Sequence, residues 1–169
     1  MIFWTFQRRE LTRRLGQNAV LASDFATQSL FAGDSKDAYM FLLAQYNKIF
    51  SAGYPGLVFG YSGYPSFDAV IDAWQAVGSP SGAMFPSETN SLLELDVPTE
   101  IGVLVVDFYR FSDLLFWSGQ AAADDDVEHG LMNAKRQLLL PNVPAGYEFP
   151  VSHIPFLSKD WILKGICAK

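Results

Sequence analysis

The chain has 169 residues, the size of one ordinary domain and enough to bury a sizeable core. Half of its residues are hydrophobic and 15% are aromatic, which excludes the composition of a disordered segment. Eighteen acidic against twelve basic side chains leave a formal charge of -6, so long-range attraction to nucleic acid or to an anionic membrane is not expected. Ile2 to Phe6 is an aromatic and β-branched run that predicts a first strand, with Gln7 to Leu15 continuing as a helix that stops at Gly16. Ser35 to Phe50 predicts a helix: Ala38, Phe41, Leu42, Gln45 and Ile49 fall near helical spacing, Ser35 is a fitting N-cap, and Gly53 and Pro55 follow. Leu57 to Tyr61 reads as a short strand, then a turn through Ser62, Gly63 and Pro65, then a helix from Phe67 to Val77. Gly78 to Asn90, rich in Gly, Pro and Ser, is expected to be an exposed loop.

In the next segment Leu93, Leu95 and Val97 alternate with Glu94 and Asp96, the period of a strand wet on one face. Val103 to Val106 is uninterrupted and aliphatic, which predicts a strand covered on both faces near the centre of a sheet. Pro98 to Gly102 is then a turn between neighbouring strands. A helix is expected over Phe111 to Trp117. A second starts at the acidic cluster Asp124, Asp125, Asp126 and Glu128 and ends at Lys135 and Arg136, a charge order that suits the helix dipole. Gln137 to Leu140 reads as a strand, Pro141 to Pro155 as irregular or edge structure, and Asp160 to Ile166 as a closing helix or strand. With no internal repeat or linker, the expectation is a single α+β domain: a mixed sheet with helices packed on it and Val103 to Phe108 near its centre.

Cys167 is the only cysteine, so neither an intramolecular disulfide nor a cysteine-based zinc site can form. The charges of the first residues follow a very short apolar run, the reverse of a secretory signal, and no later run approaches a membrane span. A soluble, cytoplasmic protein is the expectation.

Few residues offer chemistry. Arg8, Arg9, Arg13 and Arg14 concentrate positive charge in an acidic protein; Arg9 and Arg13 share a helix face and are candidates for binding an anion, while Glu10 is spaced to pair with Arg14. Asp124, Asp125, Asp126, Glu128 and His129 carry donor atoms, yet consecutive helical side chains diverge by about 100°, so no metal site is expected. His153 lacks an acidic or nucleophilic neighbour in sequence and reads as a hydrogen-bonded structural imidazole. Tyr54, Phe59, Tyr61, Tyr64 and Phe67, interspersed with glycines, form a tract able to present flat rings to a partner. No phosphate-binding Gly-rich loop and no Gly-x-Ser-x-Gly elbow is present, which argues against the standard kinase, NTPase and hydrolase classes.

Phe3, Trp4, Thr5, Phe6 and Gln7, with Ala38, Tyr39, Gln45, Tyr54, Pro55 and the segments LLELDVP and VLVVDFYRFSDLL, resemble an uncharacterised bacterial family, a domain of unknown function whose members open with a Leu-Trp-Thr-Ile-Gln type strand. That resemblance implies a shared fold over roughly the first two thirds and transfers no activity. A looser likeness of layout is to the ADP-ribosyltransferase fold. It implies an NAD site in which Thr5 or Gln7 replaces the first-strand cationic residue, Tyr39 or Tyr61 supports the cofactor, and Gln137 or Glu148 stands for the late glutamate. The function expected first is non-catalytic binding of another protein, as by an inhibitor, immunity or phage or bacterial conflict protein. Tyr54, Phe59, Tyr61 and Tyr64 with Asp124, Asp125 and Asp126 would be the contact surface, and no cofactor is needed. The alternative is the NAD-using transferase or a degenerate relative of it.

Overall fold

The computed structural model describes residues 1–22, 36–76, 90–120, 124–138 and 149–167. In chain order they form β1 (Ile2–Arg8), α1 (Arg9–Gln17), β2 (Val20–Ala22), α2 (Lys36–Ile49), β3 (Val58–Ser62), α3 (Phe67–Ala76), β4 (Asn90–Asp96) and β5 (Leu104–Asp107). There follow α4 (Phe108–Ser118), α5 (Asp125–Leu138), β6 (Pro150–Ile154), β7 (Phe156–Ser158), a single 3-10 turn (Lys159–Trp161) and β8 (Ile162–Cys167). Six strands make one sheet in the order β5-β6-β3-β1-β4-β8, and β2 pairs with β7 in a separate ribbon. The α+β class is as the sequence predicts; the sheet is antiparallel at every pairing instead of mixed.

Strand alternation divides the interior in two. On one side Phe3, Val58, Leu93, Leu95, Val97 and Ile154 pack with Leu15 of α1 and Leu157 of β7. On the other, Trp4, Tyr61, Leu92 and Val151 pack under α2 to α5 through Tyr39, Leu42, Val70, Phe111, Leu114 and Ala134. The first face is largely aliphatic, the second aromatic. Gly60 lets β3 close on β1, because a Cβ there would overlap the Phe3 ring and the Trp4 carbonyl oxygen. Two aspartates start the later helices: Asp107 accepts from the amides of Tyr109 and Arg110 at 3.0 and 3.3 Å, and Asp124 from that of Val127 at 2.9 Å. The link from β4 to β5 is fixed onto α2 by the Tyr46 hydroxyl, which donates to the Gly102 carbonyl at 2.7 Å.

Several expectations give way. Gln7 and Arg8 belong to β1, not to the first helix, since they pair in register with Ser91 and Asn90; α1 then runs past Gly16 to Gln17. The Val103 to Phe108 segment is not central. β5 is the outermost strand at one end of the sheet, with Val103, Leu104 and Val105 half-buried and only Val106 of that run buried. Pro98 to Gly102 therefore does not join neighbours, because β6, β3 and β1 lie between β5 and β4. Gln137 and Leu138 extend α5, where Leu138 is buried against the helix-side core, so no strand starts at Gln137. The proline-rich stretch before Pro155 contributes β6, an interior strand. At the far end β8 has an irregular step between Glu94 and Leu95 of its partner, which leaves Leu163 out of register and, with Lys164, blunts that edge. Ser35, Val77 at the end of the expected helix, residues 78–89 of the expected loop, and residues 139–148 lie outside the described residues. No described helix is long and apolar enough to cross a membrane.

Candidate functional site

Thr5 and Gln7 come together, but as a strand-stabilising pair. The fully buried Thr5 hydroxyl donates to the Phe59 carbonyl at 2.7 Å and accepts from Gln7 Nε2 at 2.8 Å. Both side chains project to the face that carries Phe3. Tyr39 is on the opposite face, edge-on to Phe111 at 5.3 Å, and burial pushes its phenol pKa up. Tyr61, weighed for the same role, is buried on that face too and stacks on Phe149 at 6.0 Å. Gln137 is exposed on α5, its carbonyl accepting from Arg110 Nη1 at 3.0 Å. Glu148 lies outside the described residues. The sheet thus separates Thr5 and Gln7 from Tyr39, and the described residues do not bring the three into one NAD pocket.

The aromatic tract is structural where a recognition surface is expected. Tyr54 is half-buried between Tyr46 and Phe156, and its backbone N–H and C=O are both held by the Asn47 side chain at 3.0 Å. Phe59 is half-buried, with its ring 5.3 Å from Tyr61 and 5.5 Å from His153. Tyr64 donates to the Pro150 carbonyl at 3.4 Å, and burial pushes its phenol up to about 12. The reason is the strand period: alternate positions of β3 turn Phe59 and Tyr61 under the helices.

Charge lies at two separate places. Arg9 is half-buried and Arg13 exposed on α1, on one side of the sheet. No ion pair joins Glu10 to Arg14 among the described residues, so the pairing expected from their spacing is not made. Asp124, Asp125 and Asp126 are exposed at the start of α5, on the other side, and no group of metal-binding side chains occurs among the described residues.

The residues that sequence reasoning passes over are Phe116 and Trp117. Phe116 is 60% exposed and meets Trp117 edge-on at 5.2 Å, while the Trp117 indole covers Gly130 of α5 so closely that a Cβ there would overlap it. Gly119 ends α4 and Asp124 caps α5, so these rings and the acidic residues occupy the same tip of the α4–α5 pair. A sequence signal exists: Phe111, Leu114, Leu115 and Ser118 trace the inward lane of α4, and Phe116 stands off it.

His153 is fully buried on β6 with its ring 5.5 Å from Phe59 and 5.7 Å from Phe111. The hydrogen bond expected for it is not formed: neither ring nitrogen reaches a partner with adequate geometry. Burial lowers its pKa to about 4, and the adjacent backbone of Leu104, its register partner on β5, offsets that only in part. No protein-family model matches the sequence, and no curated protein and no solved structure does either.

Proposed function

We propose that the chain is a non-catalytic protein-binding domain that holds its partner at the α4–α5 tip. The observation that carries this reading is Phe116, a large apolar ring left mainly in solvent at the end of α4 that leads into α5, whose cap and first turn hold the exposed carboxylates Asp124, Asp125, Asp126 and Glu128. An aromatic anchor bordered by charge is the usual make-up of an interface centre and its rim. Trp117, wedged against Gly130, fixes the neighbouring ring and reduces the ordering cost of docking. The acidic rim suits a basic partner with an apolar recess, the arrangement by which an inhibitor, an immunity protein or another protein of phage or bacterial conflict engages its target.

The test compares native-lysate capture by the wild-type chain, by Phe116→Ala, and by an Asp124→Lys/Asp125→Lys/Asp126→Lys variant. One protein retained by wild type, with affinity reduced at least tenfold by Phe116→Ala and association slowed by the charge reversal, is the expected outcome. Equal retention of that protein by all three refutes the assignment of the tip.

A further inference from the structure

His153 occupies the joint of three elements: β3 touches it through Phe59, α4 through Phe111, and the outermost strand β5 is in register with it at Leu104. Neither of its nitrogens makes a hydrogen bond of adequate geometry, although the side chain is wholly enclosed and lies against the Leu104 backbone. We infer that His153 is an acid-operated release for the corner formed by β5, β6 and α4: a proton taken up by the ring opens this corner while the β1–β4 centre of the sheet stays closed.

Around the ring the Leu104 backbone alone favours a positive charge, by less than burial opposes it, and no side chain supplies a counter-charge. On β5, the Asp107 carboxylate is bonded to the amides of Tyr109 and Arg110 at the start of α4. On α4 itself the Arg110 guanidinium turns out to the Gln137 carbonyl and Asp113 is exposed. The titratable side chain of β3 on this face is the Tyr61 phenol, and the Tyr39 phenol of α2 lies behind Phe111. Among the described residues no hydrogen bond or ion pair connects any charged group to the imidazole. A buried cation without a counter-charge is relieved only by water. Water is reached at least cost through β5, which is four residues long, half-buried at Leu104 and Val105 and at the margin of the sheet. Because Asp107 passes directly from β5 into the cap of α4, loosening the strand frees the helix start as well. This inference stands whatever the chain binds.

Amide hydrogen exchange on the full chain at pH 7 and pH 5, corrected for intrinsic rates, tests it. An open state that titrates normally at 6.5 and a closed state that titrates at about 4 give an opening constant about 20-fold larger at pH 5. Protection over 104–107, 108–118 and 150–154 should drop by that factor, with 3–6 and 92–95 unchanged, and His153→Phe should abolish the difference. Identical pH dependence in His153→Phe, or loss of protection in all strands together in the wild type, overturns the inference. Should the phenylalanine variant fail to fold, His153→Leu replaces it. Ring NMR in a His129→Gln background then supplies a second readout, in which a folded His153 ring protonated at pH 6 also overturns the proposal.

Discussion

The two faces of the central sheet bury polar atoms under different rules. On the α1 side the buried strand hydroxyls are answered: Thr5 bonds to Phe59 and Gln7, and the Ser62 and Ser152 hydroxyls meet at 2.6 Å across the β3–β6 pairing. On the helix side the Trp4 indole nitrogen and both nitrogens of His153 are buried without partners among aromatic rings. The α1 face is therefore specified by directional bonds that fix one strand against the next. The helix face is held by ring packing, which is strong in area but intolerant of charge.

Removing a ring from the helix face should have the largest effect. Phe111→Ala deletes a buried side chain between Tyr39 and His153 and should cost about 3–5 kcal/mol in denaturant unfolding; a loss of about 1 kcal/mol would show that this face is not tightly packed. On the other face Gly60→Ala forces a Cβ against backbone and should cost about 3 kcal/mol, with the β1–β3 amides losing protection first. Acid should separate the faces further. The folded pKa of His153 lies below that of the unfolded chain, so unfolded molecules bind a proton that folded ones refuse. Its contribution is complete above pH 6.5 and is lost as pH falls toward about 4, up to about 3 kcal/mol in all, and His153→Leu should flatten that part of the stability profile.

Ser62→Ala or Ser152→Ala alone strands a buried hydroxyl and should cost about 1–2 kcal/mol, whereas the double variant should cost less than the sum; strict additivity would mean that the pair makes no directional contribution. Smallest is Phe116→Ala, which should change stability by less than about 0.5 kcal/mol because the ring is mainly in water, even as it weakens partner capture.

The sequence made burial plain and lateral position obscure. Glu94 and Asp96 against Leu93, Leu95 and Val97 reveal β4 because its period is visible in the side chains. The aliphatic run at Val103 signals cover on both faces, yet at the margin of the sheet Val103, Leu104 and Val105 are only half-buried. Whether a strand has neighbours left and right is a matter of pairing, which a single run does not encode, and β5 proved to be the end strand. β6 was hidden for the opposite reason, since Ser152, His153 and flanking prolines carry little strand propensity and only tertiary packing places them inside. At the candidate site the acidic start of α5 was readable from its charge order. Richness in aromatics says nothing about which way a ring points, so it distinguishes neither the inward turn of Phe59 and Tyr61 nor the outward turn of Phe116.

The position of β1 has a consequence for biosynthesis. Its partners are encoded far downstream: Trp4 aligns with Tyr61, and Ile2 with Asp96. At ribosomal speeds of about 5–20 residues per second, roughly 5–20 s pass before the second flank has been translated. Throughout that interval Ile-Phe-Trp-Thr-Phe is a sticky nascent segment with at least one margin open, so early chaperone engagement should govern the yield of this protein more than the final stability of its fold.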